Sequence, residues 1–240
     1  MSYRRRGDAL PVSDSADLPV VGITGPYCSG KSVLSELLRK QGWLHIEVDA
    51  IGHAALEAQK NAIVEAFSSS IIDRETGKIN RRKLGHIVFS DPSELSRLEA
   101  LVHPVMFQQV REIIDQRRSP CRNTGRNEEA PKINAPKADI PLKGILINAA
   151  ILYKMKLETL CSLVFWVQAP RFIRLWRAWR RDGLNRKQIR RRFSAADELS
   201  SQLLSSHVDM YKVDNIFMRT ALRRMEDILK AESWVKTKST

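Results

Sequence analysis

Residues 25–32 read Gly-Pro-Tyr-Cys-Ser-Gly-Lys-Ser, and this octapeptide decides the fold that the sequence predicts. It fits the pattern G-x-x-x-x-G-K-[ST], in which backbone N–H groups close around an anion. Residues 19–24 form a short apolar run typical of a buried strand, and residues 33–40 have apolar positions at helical spacing. This context favours a phosphate-binding loop over a chance match in a glycine-containing turn, because the helix dipole adds positive potential at the loop.

The loop supplies the predicted contacts to a nucleotide. We expect Lys31 to reach the β- and γ-phosphates and the Ser32 hydroxyl to bind Mg²⁺. Backbone groups of the surrounding loop are expected to hold the phosphates, and the other loop residues predicted to take part are Gly25, Cys28, Ser29, Gly30 and Val33.

Composition limits the class of protein. The chain has 240 residues, 43% of them hydrophobic, which suits one globular domain or one domain with lobes. No apolar run reaches the length of about 18 residues that a membrane span needs. The three cysteines are far apart and show neither disulfide nor zinc spacing, which favours a reducing cytoplasm.

The positive charge is concentrated in one segment. The net charge is +13, and residues 171–192 contain nine Arg and one Lys against the single acid Asp182. In a chain with a phosphate loop, such a cluster favours a clamp on bound polyphosphate. Nucleic acid is the competing partner that the charge suggests, and it is not the expected one.

Three arginines of that segment share one predicted helix face. Arg174, Arg177 and Arg181 are spaced i, i+3 and i+7. With few acids nearby they would repel one another without an anion, so we predict a helical lid over phosphates. Trp176 and Trp179, spaced i and i+3, are expected to be packing residues and not to stack on bases.

The remaining pattern predicts a parallel sheet covered by helices on both faces. Apolar runs at residues 43–48, 144–148 and 163–167 read as strands, and helical patterns lie around them. We predict a flexible tail at 1–18 and one domain at 19–235. Its predicted parts are a core (19–50, 144–170 and 208–235), a helical acceptor region (51–116), a flexible insert (117–143) and a lid (171–207).

Asp49 follows the second predicted strand. Ligands of open α/β sheets collect at the carboxyl ends of strands, where a carboxylate can accept a proton from an attacking hydroxyl or help to place Mg²⁺. Asp is also a favoured helix N-cap. The sequence leaves both roles open.

Several separate motifs resemble those of the dephospho-coenzyme A kinase family, over about residues 20–229. Besides the loop, residues 47–51 resemble its acidic D-A-D-x-I element, and residues 98–104, Leu-Glu-Ala-Leu-Val-His-Pro, are close to its L-E-x-I-x-H-P signature. Residues 177–183 end in Arg-Asp-Gly like the family lid, and residues 213–215 resemble its late I-D-N element near the adenine. A phosphate loop is shared by many families, whereas the L-E-x-x-x-H-P element of residues 98–104 is far more specific.

The resemblance implies a P-loop kinase of α/β fold that uses ATP and Mg²⁺ to phosphorylate the ribose 3′-hydroxyl of 3′-dephospho-CoA. It implies that Asp49 is the catalytic base, that Arg177 and Arg181 neutralise the transferring phosphoryl group, and that Asn215 lies by the nucleotide. The chain departs from the family pattern at His53, Asn148, Ala150 and Lys154. A kinase for another nucleotide or small alcohol, and a non-catalytic nucleotide- or nucleic-acid-binding protein, remain the alternatives.

Overall fold

The computed structural model describes residues 18–118, 133–136, 140–182, 193 and 208–232. The described residues divide into two compact units, one within residues 1–46 and 133–240 and the other within residues 47–132. The strands within the described ranges are β1 (Val20–Thr24), β2 (Trp43–Glu47), β3 (Ile133–Asn134), β4 (Gly144–Asn148), β5 (Leu163–Gln168) and β6 (Asp209–Asp214). The α-helices whose bounds lie within the described ranges are α1 (Lys31–Lys40), α2 (Val48–Ala58), α3 (Lys60–Phe67), α4 (Arg81–Val88), α5 (Pro92–Arg118), α6 (Arg171–Asp182) and α7 (Met218–Ala231).

The first unit contains a six-stranded sheet in the order β3-β2-β4-β1-β5-β6. The strand β1 pairs in parallel with both β4 and β5, and β5 pairs in parallel with β6. Every residue of β1 and of β4 is buried, as expected for strands of a parallel sheet that is covered on both faces. The predicted α/β class is confirmed, and the loop that follows β1 leaves the middle of the sheet.

Apolar side chains from α1 and α7 form a core with this sheet. Leu34 and Leu38 of α1 and Met225 of α7 are fully buried in one cluster with strand residues such as Ile23 and Phe165. Burial of this kind contributes about 1.5–3 kcal/mol for each large apolar side chain. The core therefore fixes the helix that follows the loop against the strand that precedes it.

The described part of the second unit is helical, like the sequence pattern of residues 51–116. Its helices are α2 to α5, with a short 3₁₀ helix at Ser69–Ile71. The predicted turn after Ile72 is present, since the Asp73 N–H donates to the Lys78 carbonyl at 2.9 Å. Helix α5 contacts α2 and contains Pro104 in its interior.

Two boundaries differ from the sequence prediction. Helix α5 continues to Arg118, and β3 pairs in antiparallel fashion with β2, so the predicted insert of residues 117–143 includes a strand of the sheet. Helix α2 begins at Val48 with Glu47 as its N-cap. Asp49 therefore lies in the first turn of a helix and is not its cap, although its charge still interacts favourably with the helix dipole.

None of the helices in the described ranges combines the length and the apolar character that crossing a membrane requires.

Candidate nucleotide site at the phosphate loop

Two glycines determine the backbone path of the loop between β1 and α1. Gly25 has φ 142° and Gly30 has φ 99°, a range that residues with a side chain rarely adopt. A Cβ atom at Gly25 would lie 2.0 Å from the Val167 carbonyl oxygen, and one at Gly30 would lie 2.1 Å from the Asn215 Nδ2 atom. Both positions therefore require glycine for reasons of space as well as of conformation.

Cys28 is the residue of the loop that is strained. Its φ of 59° is left-handed, which costs a residue other than glycine about 1–2 kcal/mol. Its side chain is half-buried, and burial raises the pKa of the thiol although Arg181 and Lys31 nearby oppose the shift. The thiol is thus neutral at physiological pH, and the strain must be held by contacts that the loop makes elsewhere.

The Lys31 side chain folds back onto the start of its own loop. Its Nζ atom donates to the Gly25 carbonyl at 2.7 Å and to the Pro26 carbonyl at 3.2 Å. The Ser29 N–H also donates to the Pro26 carbonyl, at 3.1 Å. The predicted phosphate-binding lysine therefore starts from a defined position at the N-terminus of α1.

Ser32 and Val33 are exposed in the first turn of α1. Gly30 precedes this helix and has no side chain to cap it, and the first turn contains no acidic residue. The positive end of the helix dipole is consequently not neutralised by the helix itself, as an anion-binding helix N-terminus requires.

Arg177 and Asn215 bind the loop from outside. The Arg177 guanidinium donates to the Ser29 carbonyl at 3.0 Å and to the Asn215 carbonyl at 2.9 Å. The fully buried Asn215 side chain donates through Nδ2 to the same Ser29 carbonyl at 2.7 Å. Burial lowers the pKa of Arg177. The Ser29 carbonyl therefore accepts two hydrogen bonds from residues distant in sequence.

Arg174 binds a second carbonyl of the loop. It is 7% exposed, and its Nε atom donates to the Tyr27 carbonyl at 2.9 Å. Its guanidinium carbon lies 4.5 Å from the centre of the Phe193 ring, a cation–π distance. The Phe193 ring meets the Tyr27 ring edge to face at 5.8 Å, and Arg181 lies over the Tyr27 ring at 5.4 Å.

The three arginines lie on one face of α6, and their contacts bear on the prediction that they would repel one another without an anion. Carbonyl oxygens of the loop and of Asn215 accept hydrogen bonds from Arg174 and Arg177, so both side chains have partners without a bound anion. The expectation for the tryptophans was wrong: Trp176 and Trp179 are 55% and 68% exposed. The helix turns its arginine face to the loop, and the aromatic residues occupy the opposite face.

The remaining predicted positions lie outside the phosphate loop and outside α6. Asp49 is exposed in the first turn of α2, in the second unit, where His53 is also exposed. Asn148 is buried at the end of β4, whereas Ala150 and Lys154 are exposed after it. Within the described residues no group of three or more His, Cys, Asp or Glu side chains could hold a metal ion.

Sequence reasoning missed two residues of this cluster. Tyr27 occupies a variable position of the loop pattern, and Phe193 is an isolated aromatic residue in an arginine-rich run. Their rings, together with Ala178 and Cys28, form a small apolar cluster. The sequence pattern did not predict this cluster, because Phe193 is distant in sequence from the loop and periodicity relates only residues of the same helix or strand.

Known proteins match most of the chain. The family model of dephospho-CoA kinase matches residues 19–122. The dephospho-CoA kinase of Treponema pallidum is 30% identical over 217 residues, which cover 88% of this chain and 93% of that protein. The dephospho-CoA kinase of Treponema denticola is 28% identical over 218 residues and covers 88% of this chain and 89% of its own.

Solved structures share the fold. A crystal structure of a Thermus thermophilus protein has a TM-score of 0.66 and 25% identity, over 90% of this chain and 97% of the other. The dephospho-CoA kinase of Campylobacter jejuni has a TM-score of 0.55 and 20% identity, over 89% of this chain and 98% of its own. Because a dephospho-CoA kinase at 30% identity matches 88% of this chain and the family model matches residues 19–122, the chain belongs to the dephospho-CoA kinase family.

Proposed function

We propose that this protein transfers the γ-phosphoryl group of ATP to the ribose 3′-hydroxyl of 3′-dephospho-CoA, which gives CoA and ADP and is the last step of coenzyme A biosynthesis. The observation that carries this function is the glycine loop with Lys31 at the start of α1, in a chain of this family. The absence of disulfide spacing among the cysteines supports a cytoplasmic location.

The loop binds the phosphates through its backbone amides and through Lys31. When the triphosphate enters, the Lys31 ammonium exchanges the Gly25 and Pro26 carbonyls for phosphate oxygens, which are stronger acceptors because they are charged. Asn215 and Arg177 hold the loop from the other side, so its amides are in place before the nucleotide arrives.

Asp49 is the proposed general base. An exposed carboxylate can take the proton of the 3′-hydroxyl as the hydroxyl attacks the γ-phosphorus, while ADP leaves on the opposite side. Arg177 and Arg181 are proposed to offset, by the field of their charges, the negative charge that develops on the transferring group. Arg177 is held by two carbonyl contacts, and Arg181 is exposed on the same helix face.

The residues present fit a magnesium ion that enters with the nucleotide. Mg²⁺ prefers hard oxygen ligands and commonly takes most of them from substrate phosphates and water, with few from the protein. The exposed Ser32 hydroxyl, beside Lys31 at the start of α1, is the proposed protein ligand. The ion would neutralise charge on the phosphate oxygens.

The test is ADP release in a coupled assay with dephospho-CoA, and with nucleoside monophosphates and pantothenate as competing acceptors. Lys31→Ala should reduce turnover to background, because the β- and γ-phosphates lose their positive partner. Lys40→Ala, an exposed lysine at the other end of α1, is the matched control and should keep the wild-type rate.

A Lys31→Ala enzyme with a near-normal rate would refute the loop as the ATP site. Faster turnover of another acceptor than of dephospho-CoA would refute the substrate. No turnover at all, together with steeply salt-dependent binding of RNA or DNA, would favour a binding protein.

A further inference from the structure

Arg174 is the most deeply buried arginine of α6, and it contacts the phosphate loop. Its Nε atom donates to the Tyr27 carbonyl, and its guanidinium stacks on Phe193. Arg177, one turn further along, holds the Ser29 carbonyl. Two alternate peptide units of the loop are thus fixed through their oxygens by cations of one helix.

The planarity of the peptide bond transmits this contact to the opposite side of the loop. In a trans peptide the N–H points away from the preceding C=O. With the Tyr27 oxygen held against α6, the Cys28 N–H must point away from α6. With the Ser29 oxygen held by Arg177 and Asn215, the Gly30 N–H must do the same.

The strain at Cys28 shows why such a holder is needed. The peptide between Tyr27 and Cys28 precedes a residue that is left-handed although it is not glycine. Such a residue would return to a more favourable φ unless neighbouring contacts prevented it. Reversing this peptide would break the bond from Arg174 and leave a buried guanidinium without its carbonyl acceptor. Left-handed residues in turns are where successive N–H groups form concave anion sites.

We propose that Arg174 is a positioning residue for phosphate binding: by holding the Tyr27 carbonyl against α6, it orients the Cys28 N–H toward the polyphosphate of the bound nucleotide. This inference rests on the proposed function for the identity of the nucleotide. Arg174 acts through the loop backbone and does not itself touch the phosphates. Its effect is therefore specific to the phosphate part of the ligand.

The experiment compares Arg174→Ala and Arg174→Lys with Arg180→Ala by titration calorimetry. Arg180 is an exposed arginine of the same helix that lies over the Trp176 ring, so it controls for loss of one positive charge. The probes are inorganic tripolyphosphate, which has no base, and adenosine, which has no phosphate. Thermal unfolding of each variant shows whether it is folded.

We expect Arg174→Ala to weaken tripolyphosphate binding by about tenfold, the scale of one charge-assisted hydrogen bond, and to leave adenosine binding unchanged. Arg174→Lys should recover only part of the loss, because an ammonium keeps the charge but lacks the planar fork that both donates to Tyr27 and stacks on Phe193. Arg180→Ala should bind both probes like the wild type.

Three results would overturn the proposal. Wild-type tripolyphosphate affinity in Arg174→Ala would show that the loop does not need this contact. Full recovery in Arg174→Lys would show an effect of charge alone. Equal losses for tripolyphosphate and adenosine would show general damage to the fold; if Arg174→Ala does not fold, the Arg174→Lys measurements decide by the same criteria.

The proposed function fails separately. If the wild type does not phosphorylate dephospho-CoA, the substrate is wrong, while the tripolyphosphate titrations still test the role of Arg174.

Discussion

Gly30→Ala should damage the loop far more than the same change at Gly77, although both glycines have positive φ. At Gly77 (φ 63°) an added Cβ meets no atom within 4 Å, so Ala costs only the left-handed conformation, about 1–2 kcal/mol. At Gly30 (φ 99°) the same strain applies, and the Cβ would also lie 2.1 Å from the Asn215 Nδ2 atom.

The clash at Gly30 displaces the Asn215 side chain. Asn215 is fully buried, so its amide must move and lose its hydrogen bond to the Ser29 carbonyl. A buried polar group left without its partner costs about 1–3 kcal/mol. We therefore expect Gly30→Ala to lower the free energy of unfolding by about 2–5 kcal/mol in total, the sum of this loss and the strain.

Urea unfolding of the two variants and the wild type measures these differences, and ATP titration of the folded variants measures the consequence for the site. Gly77→Ala should bind ATP like the wild type, whereas Gly30→Ala should bind it at least about tenfold more weakly, because the Ser29 peptide loses one of its two holders. If the two variants unfold within about 0.5 kcal/mol of each other, the spread expected for surface changes, then Asn215 does not constrain the loop.

Two further predictions concern residues outside the loop. Asp49→Asn should lower kcat by about a hundredfold or more, the scale of a lost general base, and leave ATP affinity within a few-fold; a loss confined to thermal stability would assign Asp49 to the helix dipole alone. His45 is 4% exposed in β2, and burial lowers its pKa from the ordinary value of 6.5. At a pH below 6.5 the unfolded chain therefore binds a proton at His45 that the folded protein does not. Stability should therefore fall as the pH falls from 6.5 toward the depressed pKa, by up to about 1.4 kcal/mol per pH unit, and His45→Leu should remove this slope in urea unfolding at pH 7.5 and 5.5, whereas the exposed His86→Leu should keep it.

The sequence alone determined the phosphate loop and the strands that flank it. The loop could be predicted because its requirement is local: glycine must stand at Gly25 and Gly30, where the backbone has positive φ and no room for a Cβ atom. The strands β1, β4 and β5 could be predicted because strands buried on both faces leave a continuous apolar run. The phosphoryl acceptor was predicted from the family motifs, since no periodicity distinguishes one acceptor from another.

Only the tertiary structure decided what the arginines of α6 contact. Helical spacing placed Arg174 and Arg177 on one face, and their mutual repulsion predicted a bound anion as their partner. Their hydrogen-bond partners are instead the neutral carbonyls of Tyr27, Ser29 and Asn215. These acceptors are backbone atoms, which every residue carries, and they stand 38 to 148 positions away along the chain. Side-chain pattern therefore carried no signal for them, and the sheet order that brings β6 and α6 to the loop was needed to reveal them.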